Sequence, residues 1–239
     1  MEKKNINIAE SCSINTGGNS GSVVGYMYNT GKISGCKNYA NLNQVNGGIV
    51  GNIAGSITVS DCINYGDIQN GSGGIVGGSN GTDWEEFTNV QHSIINCGNY
   101  GNITNSIDYT GGIVGFVKGN VLNCYNVGNI TTNRIYAAGI AGSAYGNIKN
   151  CYNLGNVQCG MGNVGGIGGS TTGKIENCYN KGDITGNYSV GEINGAGKNG
   201  TIVENCYSKN DEFTASDLGT AYEEDTNNIN DGYPILQWQ

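Results

Sequence analysis

The feature that most constrains this chain is a period marked by cysteine. Cys36, Cys62, Cys97, Cys124, Cys151, Cys178 and Cys206 follow one another at steps of 26, 35, 27, 27, 27 and 28 residues. After each of the first six runs a Cys-x-Asn-x-small-polar-aliphatic string, as in Cys62-Ile63-Asn64-Tyr65-Gly66-Asp67-Ile68; Cys206 keeps only its beginning. Three residues before each of the seven cysteines stands an aliphatic residue: Ile33, Val59, Ile94, Val121, Ile148, Ile175 and Val203. Further upstream lies a glycine-bracketed phrase, clearest at Gly47-Gly48-Ile49-Val50-Gly51 and Gly111-Gly112-Ile113-Val114-Gly115, with drifted later copies and a weaker early one at Gly21–Gly25 behind Cys12. Self-similarity at this period is the mark of stacked supersecondary units.

The units are built of strands and turns. Their apolar residues come in bursts of one to three, are largely β-branched, and are broken by Gly or Asn every few positions, with no run at helical spacing. Side chains alternate along a strand, so Cys and the Asn two residues on share a face while the aliphatic three before Cys falls on the other. Both point inward only if a turn or bulge lies between them. We therefore expect an all-β, parallel β-helix-like solenoid of about 27 residues and about three short strands per coil. A single coil buries too little to stand alone, and stacking at about 4.8 Å turns the repeat into vertical ladders of Ile, Cys and Asn.

The phrases Gly73-Gly74-Ile75-Val76-Gly77 and Asn123-Cys124-Tyr125-Asn126-Val127-Gly128-Asn129-Ile130 resemble the GLUG repeat, and the resemblance runs over about residues 12 to 206. The ending Gly232-Tyr233-Pro234-Ile235-Leu236-Gln237-Trp238-Gln239 is similar to the tail that closes such arrays in clostridial cell-surface proteins. The family occurs in surface and secreted proteins of Gram-positive anaerobes and in some immunoglobulin A peptidases, and its repeat has no assigned enzymatic residues. The resemblance thus implies a bacterial cell-surface or extracellular setting more than a mechanism.

Composition narrows the partners. Charged residues are 13% of the chain and the net charge is -8, which disfavours binding to nucleic acid through its phosphates. No apolar run approaches the roughly 20 residues of a spanning helix, and Met1-Glu2-Lys3-Lys4 opens no signal peptide. The chain reads as soluble without membrane insertion, and a domain cut from a longer secreted protein would begin in the same way.

The nine cysteines invite disulfide or zinc readings. Regular spacing of Cys36, Cys62, Cys97, Cys124, Cys151, Cys178 and Cys206 explains them better as a buried column of reduced thiols, because in-register side chains run parallel and hold their Cβ atoms too far apart to bridge. Cys159 lies outside that column and is expected, with Cys12, to be the accessible thiol. Zinc lacks a close cysteine pair, and His92 is the single histidine. The column Asn38, Asn64, Asn99, Asn126, Asn153 and Asn180 is read as structural, its amides bonding one another and the backbone at turns. The glycine phrases recur in every coil and precede no Walker lysine, so they are turns and not phosphate loops. Asp225 through Gly232 has alternating oxygen ligands but lacks the closing Glu of a calcium loop, and a polar turn accounts for it.

Catalysis is poorly provided for, with one His, one Arg at Arg134 and no Gly-x-Ser-x-Gly elbow. We expect no enzyme, no cofactor and no metal. The step from Cys62 to Cys97 is the one large break in the period, and its extra residues must loop out of the coil. That loop carries Asp83, Trp84, Glu85, Glu86 and Phe87, with His92 following, and these are the candidate ligand-binding residues. Trp84 and Phe87 folding back over the loop's own base is the structural alternative.

Solenoid ends need caps. Glu2, Lys3 and Lys4 suit a charged first strand. The repeat solenoid is assigned to residues 1-206 and a C-terminal cap to 207-239, with a short helix from Ser216 to Glu224, N-capped by Ser216 or Asp217. Tyr233, Pro234, Ile235, Leu236 and Trp238 are expected to cover the last coil. The function expected from all this is a structural or adhesion module, monomeric in isolation, whose partner is a host or matrix protein or a glycan. The alternative is a carbohydrate-binding or carbohydrate-cleaving domain working through the Trp84 loop.

Overall fold

The computed structural model describes residues 1–12, 14–15, 17–79, 92–197 and 201–239. Its strands wind into a parallel solenoid in which every pairing along the stack joins a residue to its equivalent one coil on, for example Ile103 to Ile130 and Thr104 to Thr131. Two sheets of seven strands give the number of coils among the described residues.

The coil from Gly119 to Ala144 illustrates the path. It runs through strands Gly119–Leu122, Tyr125–Asn126, Ile130–Thr132, Ile135–Ala138 and Ala141–Ala144. The apolar bursts that suggest three strands thus resolve into five here, because sharp bends divide them. One bend is the turn that side-chain parity requires between the upstream aliphatic and Cys. The residue just before each cysteine has positive φ: Asp61, Asn96, Asn123, Asn150, Asn177 and Asn205 lie between 52° and 56°, and Gly35 at 65°. Asn, Asp and Gly tolerate this left-handed conformation best, which is why they precede each cysteine. The bend turns Val121 and Cys124 into the same core although their separation is odd.

Two apolar clusters fill the coils. One combines the pre-cysteine aliphatics, the cysteines and the Ile-Val pairs of the glycine phrases. The other is the column Leu42, Ile68, Ile103, Ile130 and Val157 with Ala137 and Val164. Cys159 belongs to this second cluster and is 2% exposed. The expectation that it is accessible is therefore corrected: it pairs with Thr132 and turns inward two residues after Val157, its thiol directed at the carbonyl of Arg134.

Close coil spacing also explains the Asn-x-Gly string. A Cβ on Gly101 would lie 1.9 Å from the carbonyl oxygen of Gly66 in the coil before, and one on Gly128 would lie 2.0 Å from that of Gly101. No side chain fits.

The first coil begins at Glu2–Lys4, which pairs with Thr30–Ser34. Asn5 has the left-handed bend, Ile6 takes the cysteine position and Ile8 the asparagine position.

The C-terminal cap differs from expectation in two respects. Its helix is a single turn, Ala215–Leu218, with Thr214 as N-cap. Gly219 ends it, and Glu224 instead accepts a hydrogen bond from the Ala215 N–H at 2.7 Å. The cap also lies along the flank of the stack and not over its end. Tyr125, Tyr152 and Tyr179, each one residue after a cysteine, form a stacked outer shelf with centroids 5.4 and 4.9 Å apart. Trp238 sits on Tyr125, and Phe213 and Tyr222 sit on Tyr179. The indole of Trp238 donates to the carbonyl of Asn123 at 3.0 Å, and the hydroxyl of Tyr222 to that of Asn177 at 3.0 Å. Burial of these rings against the tyrosine shelf holds the cap to the flank. No described helix is long and apolar enough to cross a membrane.

Candidate functional site

The polar columns consume most of their own hydrogen-bonding capacity. Each of Asn38, Asn64, Asn99, Asn126 and Asn153 donates through Nδ2 to the Oδ1 of its equivalent in the next coil at 2.7 to 2.8 Å, the chain ending at Asn180. The same nitrogen donates to the carbonyl two residues on, as from Asn99 to Gly101 at 2.8 Å. All six are fully buried. A second, outer ladder joins the bend residues, from Asn123 to Asn96 at 3.2 Å and from Asn150 to Asn123 at 2.9 Å. A third uses Asn102, Asn129 and Asn156, whose Oδ1 atoms accept the backbone N–H one coil on at 2.8 to 2.9 Å. The Cys-x-Asn string identifies the first; the signals for the others are the Asn before each cysteine of the column from Cys97 on and the Asn or Asp five residues after each from Cys36 to Cys178.

From Cys36 to Cys178 the cysteine column is closed to solvent. All nine cysteines are free, and those from Cys36 to Cys178 in the column are buried. Each thiol is directed at the carbonyl two residues before it, as in Cys124 to Leu122 at 3.1 Å. Burial pushes the thiols of Cys97, Cys124 and Cys151 well above their ordinary range, so they stay protonated and unreactive. Cys206, in the last coil, is half-buried, and Cys12 is exposed.

Of the candidate ligand-binding residues, Asp83, Trp84, Glu85, Glu86 and Phe87 lie outside the described residues. His92 opens the strand His92–Ile95 and is buried, with Nδ1 unpartnered. Burial, and then the charge of Lys118, lower its pKa to about 4. It is a neutral wall residue at ordinary pH, poorly placed to meet a ligand.

Asp225 closes its own loop. Its carboxylate accepts the N–H groups of Ile229, Asn230 and Gly232 at 2.8, 2.6 and 3.1 Å. Desolvation opposes ionisation, but these donors hold the carboxyl below the usual carboxylate range. The loop is a polar turn anchored to the stack through Asn230, whose Nδ2 donates to the Tyr179 hydroxyl at 2.6 Å. Among the described residues no group of three or more His, Cys, Asp or Glu is arranged to hold a metal ion.

What faces solvent is a periodic surface. Tyr39, Tyr65 and Tyr100, three residues after their cysteines, stack with centroids 4.8 and 5.1 Å apart and each remain more than a third exposed. Beside them runs the row Asn41, Asp67 and Asn102, and beyond it the in-register row Asn43, Gln69, Thr104, Thr131, Gln158 and Thr185. In the later coils a groove of about 410 Å³ follows these rows, lined by Asn129, Thr131, Asn156, Gln158, Asp183 and Thr185.

With this geometry in view, comparison with known proteins is informative. Residues 161–185, which make up most of one coil, match the GLUG motif. No curated protein matches the chain. A crystal structure of a candidate immunoglobulin A1 protease from Bacteroides ovatus is similar over 100% of this chain and 75% of that one, with 19% identity and a TM-score of 0.53. At that identity the likeness is one of fold.

Proposed function

We propose that this chain, a parallel solenoid with a GLUG motif in one of its coils, is a non-catalytic structural or adhesion module of a bacterial surface or secreted protein. The observation that carries this reading is the division of labour between its polar residues. Inward Asn and Cys columns are spent on holding coil to coil, while the outward rows of Tyr, Asn, Asp, Gln and Thr repeat at the coil spacing. A rigid rod bearing a long periodic face suits multivalent attachment to an extended partner, since many weak contacts in register add without reorganisation of the scaffold.

The partner class that best fits aromatic edges beside amides and hydroxyls is a glycan chain or a glycosylated matrix protein. A glycan array and immobilised matrix proteins, probed with the parent chain and with Tyr39→Ser and Tyr65→Ser, test this. Binding that falls in the tyrosine variants supports adhesion through the face. A third variant, with residues 79 to 87 replaced by a short Gly/Ser link, measures the share of the Trp84 loop. Cleavage of any arrayed glycan by the parent chain would overturn the non-catalytic reading.

A further inference from the structure

The groove along the later coils is built from two parallel rows and a backbone floor. One row is Asn129, Asn156 and Asp183, the other Thr131, Gln158 and Thr185, and all six are exposed. Each coil gives one residue to each row, so the groove follows the solenoid axis across three coils. Between the rows Ile130 and Val157 turn their side chains into the second core cluster and leave their backbone as the floor. The strands Ile130–Thr132 and Val157–Cys159 are paired on both sides, so no further strand can add there. The amides of the first row are fixed in orientation. The Oδ1 of Asn129 accepts the N–H of Asn156 at 2.9 Å, and the Oδ1 of Asn156 accepts the N–H of Asp183 at 2.8 Å. Turning either amide over would lose that bond, so each keeps its Nδ2 as a donor, and neither Nδ2 has a partner among the described residues. Lys209 pairs with Asp183 at the end of the row.

We propose that this groove is a glycan-binding site, and that it takes a neutral, extended polysaccharide lying along the solenoid axis with about one pyranose ring per coil. The proposal rests on the adhesion reading above and assigns it a site in other coils than the tyrosine stack. The Nδ2 groups of Asn129 and Asn156 donate to hydroxyl or acetamido oxygens of the sugar, while the hydroxyls of Thr131 and Thr185 and the amide of Gln158 can donate or accept, as sugar hydroxyls do. Donors that are held in place before binding lose little freedom on binding. Equivalent residues stand about 4.8 Å apart, close to the length of one ring in an extended glycan, whereas an extended peptide advances about 3.3 Å per residue and falls out of step. The net charge of -8 and the carboxylate of Asp183 disfavour anionic polymers, and the one ammonium at the groove's end is paired with that carboxylate.

Calorimetric titration of the full chain with β-1,4-linked oligomers of glucose and of N-acetylglucosamine, from the disaccharide to the hexasaccharide, tests the proposal. The two series show whether hydroxyl or acetamido oxygens are the acceptors. Affinity in at least one series should rise with length and level off at about three rings, because the groove spans three coils. Asn156→Asp removes the donor and keeps an oxygen for the N–H of Asp183. The fold accepts that change, since Asp67 holds the same position in an earlier coil and takes the N–H of Asn102 at 2.8 Å. Binding should weaken about fivefold in Asn156→Asp and in Asn129→Asp, and be lost when the two are combined. Thr131→Val, which leaves the amide ladder intact, must act in the same direction, so a folding defect in one variant does not decide the matter. Circular dichroism is recorded on all of them. No binding of either series, an affinity independent of length, or binding unchanged in these variants would overturn the groove; the adhesion reading would then stand or fall on the array and on Tyr39→Ser and Tyr65→Ser alone.

Discussion

Asn38 donates to Asn64 at 2.8 Å through Nδ2, but its own Oδ1 is buried and receives nothing. Ile8 holds the position one coil earlier from which a donor would come. The six-residue amide ladder thus begins with an unpaid acceptor, and a buried orphan of this kind costs about 1–3 kcal/mol. Replacing Ile8 with Asn extends the ladder by one rung. Chemical denaturation should show Ile8→Asn to be as stable as the parent or up to about 1 kcal/mol more stable, where loss of a half-buried Ile side chain would ordinarily be destabilising. Asn99→Ala, which strands the partners of Asn99 on both sides, should cost about 3 kcal/mol in the same assay.

Thiol accessibility separates the two cores from the surface. Cys12 should react at once in the native protein and Cys206 more slowly, while Cys159 and the cysteines from Cys36 to Cys178 react only on unfolding. Mass spectrometry of the labelled peptides identifies them. Labelling of Cys159 as fast as Cys12 would contradict its placement between Thr132 and Gly186 in the second core column.

These two cases show what the sequence exposes and what it hides. The period, the inward Cys and Asn columns and the need for a bend before Cys124 all follow from spacing and side-chain parity, because every coil repeats them. The identity of the bend residues follows too, once Asn is read as the residue that accepts positive φ. The side taken by Cys159 is hidden because it occurs in one coil, so no column reveals it; its parity with Val157 is the available signal. The cap was harder still. That Tyr moves from three residues after cysteine in Tyr100 to one residue after it in Tyr125 is legible, but that this shelf draws Trp238 and Phe213 to the flank depends on three-dimensional fit. The candidate residues of the Trp84 loop fall outside the described residues, and His92, grouped with them by nearness in sequence, is buried.

Acid should weaken the fold through His92. Its folded pKa of about 4 lies below the ordinary 6.5, so between these values the unfolded chain binds more protons. Stability is then full above about pH 6.5, declines as pH falls through the window, and levels off below about pH 4, with about 3 kcal/mol lost in total. His92 is the single histidine, and most carboxylates titrate at the lower end of this range. Denaturation midpoints of the parent between pH 5 and pH 6.5 should slope downward with acid, and His92→Gln should be nearly flat there. Equal slopes would place the proton uptake elsewhere.

The central claim is that each coil is an equivalent layer whose register is set by its length. Gly47 and Gly73 are bridged as equivalents in neighbouring coils. Removing Gly48 through Gly73 joins Gly47 to Gly74 and takes out one layer, bringing Asn38 within reach of Asn99 and leaving the cap's contacts at Tyr125, Tyr152 and Tyr179 untouched. Removing only Cys62 through Gly73 breaks the register between the coils before the cut and those after it. The decisive measurement is thermal unfolding of these two deletions followed by circular dichroism. The account predicts a cooperative transition near that of the parent for the whole-coil deletion and a lower, broader one for the partial deletion, in which the early coils have lost their neighbour. Two deletions that melt alike would contradict it.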